Sequence, residues 1–224
     1  MKKLIMITSI LVLGTALANT MTVSAADNTT KANVEIIKAT TGGGGSNTEF
    51  PVGPPIGVGD FTINAISDFD FGKIEMGKIG YAATGKVMSI PGHGNVEQQL
   101  GIEMIDQRGE GTGWDIKVGM SDFKSTKNSD VIKGWKLTIP KGKVQTKYGD
   151  LANMPVAKAV SLDNTSKVSI FSAASGKGLG VYTNVFATKA TIKEDGVKLE
   201  IPAYAKTGSY KADLTWTLSN TPGI

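Results

Sequence analysis

The chain has no cysteine. That excludes disulfide staples, cysteine-type zinc sites and thiol nucleophiles together, and leaves stability to the hydrophobic core. Histidine occurs once, as His93 in P-G-H-G-N, where its glycine and proline neighbours place it in a loop. With no HExxH pair and no thiol, this argues against a histidine-centred metal site or triad. Arginine also occurs once, as Arg108; every other basic side chain is lysine. The formal net charge is only +4 over 224 residues, and 4 − 2 = +2 without Lys2 and Lys3, which belong to a segment expected to be removed. So mild a charge, with no basic stripe interleaved with aromatics, argues against a nucleic-acid partner. The lysines mostly alternate with apolar residues, as on the solvated outer face of a sheet.

The chemistry of cofactors and catalysis is also thin. Gly109 to Gly113 and Gly176 to Gly180 contain G-x-G-x-G. A dinucleotide site needs a helix next; strand patterns follow both runs, so they read as turns. Asp68 and Asp70 share a face, but two carboxylates without a further oxygen shell read as solvated strand residues rather than a calcium site. No cofactor, metal or enzyme activity is expected. A paired-carboxylate hydrolase stays open in principle, because its two acids can lie far apart in the chain.

What is present begins with an export signal. Residues 1–25 combine Lys2 and Lys3, an apolar run from Leu4 to Ala18, and small residues at Val23-Ser24-Ala25 or Ser24-Ala25-Ala26 for cleavage. The alternative is a retained anchor, but the run is short for a bilayer and is interrupted by Thr8, Ser9, Gly14 and Thr15. No later segment is expected to span a membrane, and, with only S-N-T-P-G-I after Leu218, no sorting tail is expected. Residues 26–59 are polar and then rich in glycine and proline, a composition that buries little surface and is expected to form a flexible spacer.

From residue 60 to 224 the pattern is that of one all-β domain. Tyr210 to Ser219 is the clearest stretch: Tyr210, Ala212, Leu214, Trp216 and Leu218 fall on one face, with Lys211, Asp213, Thr215, Thr217 and Ser219 on the other. This period of two describes a half-buried strand, unbroken over roughly 30 Å at ~3.3 Å per residue. Leu100 to Asp106 alternates likewise, with Leu100, Ile102, Met104 and Asp106 opposite Gly101, Glu103 and Ile105. Further strands are expected at Val87–Ile90, Val131–Pro140, Val156–Leu162, Val168–Phe171, Tyr182–Ile192 and Val197–Ile201, and Lys141-Gly142 is expected to turn the chain into a short return over Val144–Lys147. Glycine and proline punctuate the junctions, and no helical stripe follows the export signal. The fold class is an antiparallel, Ig-like or Greek-key β-sandwich. Thr207-Gly208-Ser209-Tyr210 reads either as the tyrosine corner of such sandwiches or as a plain turn.

Each of the three tryptophans opens a short Trp-x-aliphatic run: Trp114-Asp115-Ile116, Trp135-Lys136-Leu137 and Trp216-Thr217-Leu218. The ending Y-K-A-D-L-T-W-T-L-S-N-T-P, together with D-Q-R-G-E-G-T-G-W-D-I-K-V upstream, resembles the WxL domain of Gram-positive cell-surface proteins from about Asp68 onward. The distal motif (Trp216, Leu218) matches fully. The proximal one (Trp114) carries Ile116 where leucine is usual, and Trp135 lies outside the named motifs. The resemblance implies a secreted protein held non-covalently on peptidoglycan at the cell wall. It also implies a second class of partner, a membrane-anchored WxL-interacting protein within a surface complex, with adhesion as a related role. Trp114, Ile116, Trp216 and Leu218 are the motif candidates for ligand binding. Their pattern suits a core first, where a buried indole hides ~150–250 Å², and a sugar-stacking groove face as the alternative. Arg108, between Asp106 and Glu110 in the turn before Trp114, is the last candidate: it reads either as a lock on that loop or as a fork for a wall-peptide carboxylate.

Overall fold

The structure is a computed structural model and describes residues 51–53, 57, 59–90, 94–146, 150–163, 166–189 and 196–223. The expected export signal, most of the expected spacer, and His93 lie outside the described residues. The strands are β1 (Phe61–Ile66), β2 (Ile79–Tyr81), β3 (Val87–Ile90), β4 (Gly94–Glu97), β5 (Leu100–Asp106) and β6 (Trp114–Met120). There follow β7 (Phe123–Ser125), β8 (Val131–Ile132), β9 (Lys136–Ile139), β10 (Lys143–Gln145), β11 (Val156–Ala157) and β12 (Val160–Leu162). The remainder are β13 (Val168–Ala173), β14 (Gly180–Ala187), β15 (Lys198–Glu200), β16 (Tyr210–Lys211) and β17 (Leu214–Ser219). One 3-10 turn, Leu151–Asn153, is capped by Asp150. Among the described residues no helix is long and apolar enough to cross a membrane.

All pairings are antiparallel. Three sheets have four strands, ordered β1-β5-β14-β10, β11-β13-β6-β17 and β12-β9-β15-β2. In none of them are neighbours consecutive in the chain, so the chain changes sheet at nearly every turn. All three contribute to one core, with Ile102 and Tyr182 from the first, Trp114 and Phe171 from the second, and Leu137 and Leu199 from the third. The first two face each other across it: Phe186 on β14 stacks against Trp216 on β17, with ring centroids 6.4 Å apart.

Several strand expectations change: Val131–Pro140 divides into β8 and β9, and Val156–Leu162 into β11 and β12, each pair lying in two different sheets. Tyr210 to Ser219 keeps its alternation of burial, but it is two strands: β16 pairs with β7, and β17 pairs with β6. Its partner bends at the same level, and the bend is stitched by Ser121 N–H donating to the Asp213 carbonyl at 2.9 Å and Asp213 N–H to Ser121 Oγ at 2.8 Å. The chain after Lys141-Gly142 does not fold back on β9 either; β10 joins β14 in another sheet. Asp68 to Phe71 is not a strand, yet its faces divide as expected, with Phe69 and Phe71 packed on the core and both aspartates exposed.

β5 is buried on both faces along its whole length. Beyond the core face, its outer side holds Glu103, which accepts from Asn64 Nδ2 at 2.5 Å and Thr183 Oγ1 at 3.3 Å. Residues 51–53, inside the expected spacer, pack onto this side. Val52 is buried beside Ala65 and Val185, and its carbonyl accepts from Ser67 Oγ at 2.5 Å and Gln98 Nε2 at 2.9 Å. A side chain at Gly101 would stand 2.6 Å from Val52 Cγ1, so glycine there is what admits the approach.

Candidate functional site

The two Trp-x-aliphatic runs at Trp114 and Trp216 meet side by side. β6 lies between β13 and β17, and its register with β17 sets Trp216 opposite Val118 and Leu218 opposite Ile116. Directly opposed residues in an antiparallel pair share a face, so Trp114, Ile116, Trp216 and Leu218 all point to the core. Trp114 and Ile116 are fully buried; Trp216 and Leu218, on the outer strand, are half-buried. Trp114 meets Phe171 edge to face at 4.9 Å and donates its indole N–H to the Gly178 carbonyl at 3.1 Å. Gly178 belongs to the second glycine run, which is a turn held against the first by Gly176 N–H donating to the Gly111 carbonyl at 2.7 Å.

Arg108 is locked into its own loop. Its Nε and Nη2 donate to the two oxygens of Asp106 at 2.9 and 2.8 Å, its guanidinium lies 3.6 Å over the Phe61 ring, and Nη1 reaches Glu110 at 3.8 Å. Asp106 is completely buried, so this bidentate pair satisfies a carboxylate that would otherwise be costly. The hydrogen bond to Asp106, reinforced by the charge of Asp106 and Glu110, raises the guanidinium above its already high ordinary value. The arrangement matches the loop-locking reading; both ends of its fork are already engaged.

Trp135 behaves differently from the other two. It is buried against Phe123, stacked at 4.3 Å, and Tyr210, tilted at 5.3 Å. Its indole N–H is buried without an acceptor among the described residues. Of the two readings of this turn, the geometry is that of a tyrosine corner: the Tyr210 hydroxyl donates to the Lys206 carbonyl at 2.7 Å. The far side of this aromatic row is a groove of about 600 Å³ between the β7–β8 hairpin and the segment 204–210. Lys127, Lys133 and Lys206 line it together with Tyr204 and Tyr210. Tyr204 is 68% exposed, yet its hydroxyl is tied to the Lys133 carbonyl at 2.7 Å.

The WxL domain surface cell wall-binding family matches residues 23–222. The chain belongs to the WxL family. No curated protein and no solved structure matches it. The match begins well ahead of Asp60, in line with Val52 being part of the packed body. As a WxL domain the chain is a surface, cell wall-binding module. Its motif residues are placed together by the fold, but inward. Arg108 sits elsewhere, in the β5–β6 loop, and joins none of them. Apart from Tyr210, the groove residues of this WxL domain do not stand out in the sequence, because they come from two segments far apart in the chain. The one signal they leave is Tyr204 in P-A-Y-A-K, an aromatic with no alternating apolar neighbours to bury it.

Proposed function

We propose that this chain is a secreted WxL protein that binds peptidoglycan non-covalently at the wall of a Gram-positive bacterium and does no catalysis. The family match over residues 23–222 carries this reading. The boundaries proposed are an export signal over 1–25, a spacer after it and a WxL body to 224. Within the body, Trp114, Ile116, Trp216 and Leu218 serve as frame: they fasten β17 to β6 and seal the core, so that surface loops are held for binding. Arg108 stiffens the β5–β6 loop in the same service. The support for a frame role is that the proximal pair is fully buried and the distal pair packs on the same core face.

The test is co-sedimentation of the purified protein with sacculi stripped of other proteins. Binding that saturates, without release of soluble wall fragments, is expected. Absence of binding, combined with co-purification with a membrane-anchored surface protein, overturns it in favour of a protein partner. Release of soluble fragments overturns the non-catalytic part.

A further inference from the structure

The groove between the β7–β8 hairpin and residues 204–210 has features that the frame does not need. Three lysines, Lys127, Lys133 and Lys206, are among its lining residues, and none of them forms an ion pair among the described residues. Other lysines near carboxylates do pair, as Lys136 does with Glu200 at 3.3 Å and Lys189 with Glu97 at 3.0 Å. The one acid in the lining, Asp130, is partly occupied by the amide of Asn128 at 2.7 Å. Positive charge gathered around a concavity attracts an anion.

The aromatic part is built as a platform. A tyrosine that is mostly exposed gains little from burial and normally moves freely. Tyr204 donates its hydroxyl to the backbone carbonyl of Lys133, and Tyr210 to that of Lys206, so each ring is fixed to the backbone of a lysine that lines the groove. Behind Tyr210 stand Trp135 and Phe123, a stacked row that anchors the wall to the core. Rigid rings bind with little loss of side-chain freedom, and their faces suit the C–H surface of a sugar ring. A volume of about 600 Å³ lies within the range of small-ligand clefts, ~300–1,000 Å³.

We propose that this groove is the ligand site of the domain, and that it takes an anionic saccharide. A sugar ring rests on Tyr204, and the acidic groups attached to the sugar meet Lys127, Lys133 and Lys206. The proposal rests on the cell-wall reading and gives it a place and a chemistry. In a wall the acidic groups come from peptide carboxylates on the glycan or from phosphate-containing wall polymers.

The experiment compares the purified protein with the triple variant Lys127→Ala/Lys133→Ala/Lys206→Ala, the single variant Tyr204→Ala, and a control triple variant Lys73→Ala/Lys78→Ala/Lys141→Ala. All seven residues are exposed, so circular dichroism and Tm should confirm folding. Each is titrated against sacculi, and by NMR against soluble glycan–peptide fragments. The groove triple variant should lose about tenfold or more in affinity, and the control should lose far less. The Tyr204 variant should also bind more weakly. Sacculi freed of phosphate polymers by hydrofluoric acid, and sacculi with carboxylates amidated, identify the source: loss only on amidation assigns the peptide carboxylates, and loss only after acid assigns the phosphate polymer. Sacculus binding that is equal in wild type and groove variant overturns the groove and leaves the wall reading standing. Equal weakening of groove and control variants also overturns it, as general charge attraction. Fragment shifts at the groove that vanish in the triple variant, with no binding to sacculi, would keep the groove and overturn wall retention. No response to sacculi or fragments overturns both.

Discussion

Gly178 lies so close to the indole of Trp114 that a Cβ built on it would stand 2.7 Å from Nε1, and it would collide with the Ala173 side chain as well. The φ of Gly178 is +75°, in the left-handed region that glycine enters without penalty. The proximal tryptophan is thus seated by a turn from the other end of the β13–β14 connection.

A pair of alanine substitutions separates the two demands. Gly176, two residues earlier, has φ +79°, but a Cβ added there would meet nothing within 4 Å. Gly176→Ala should cost about 1 kcal/mol, the left-handed penalty alone. Gly178→Ala should cost about 3 kcal/mol, because overpacking against Trp114 is added. Urea denaturation midpoints with unchanged slope check both. Equal costs would mean that the ring yields.

The Ile116–Leu218 contact predicts coupling between the motifs. Ile116→Ala, at a fully buried site, should cost about 3 kcal/mol, and Leu218→Ala, half-buried on the outer strand, about 1–2 kcal/mol. The double variant should fall short of the sum by about 0.5–1 kcal/mol, as neighbours that share a contact do. A double-mutant cycle by chemical denaturation measures it, and strict additivity would deny the contact its role.

Arg108→Lys should destabilise by about 2 kcal/mol. Lysine supplies a point charge in place of the fork and leaves part of the buried Asp106 carboxylate unmet. Affinity for sacculi, measured where the variant is folded, should not change. A selective loss of affinity would return Arg108 to the ligand site.

Tyr182 predicts a response to alkali. Burial raises its phenol above the ordinary value of about 10, and its hydroxyl donates to the Asp150 carbonyl at 3.0 Å. Above the ordinary value the unfolded chain gives up this proton while the folded chain keeps it. Its contribution is therefore fully present below pH ~10 and is lost as pH rises toward the folded value. Tyr182→Phe should be about 1 kcal/mol less stable at pH 8 through the lost hydrogen bond, and the deficit should shrink above pH ~10. Stability curves from pH 8 to 11 for both proteins test this, and parallel curves would count against it.

The strand alternation of Leu100 to Asp106 and the paired faces of Tyr210 to Ser219 were legible, because apolar periodicity reports which side is buried. It does not report which strand lies next door. That is why one expected ribbon proved to be β16 and β17 on different partners, and why β10 left β9 for β14. The outer burial of β5 was not legible, since its cover at Gly101 is Val52, in a segment too short and irregular to carry a period. Tyr210 could be read because a tyrosine corner is local, its acceptor being only as far as Lys206. The groove could not, because Lys127 and Tyr204 come to line one groove only after β7, β8 and the 202–210 segment have been brought together.

Between β6 and β17 the described residues form ten other strands, which the chain must complete first. Until residues 214–219 arrive, the oily flank of Trp114–Met120 has a neighbour on one edge only. In a chain exported as proposed, closure of this interior is postponed through synthesis and passage across the membrane, which holds the polypeptide in the loose state that a translocation channel accepts.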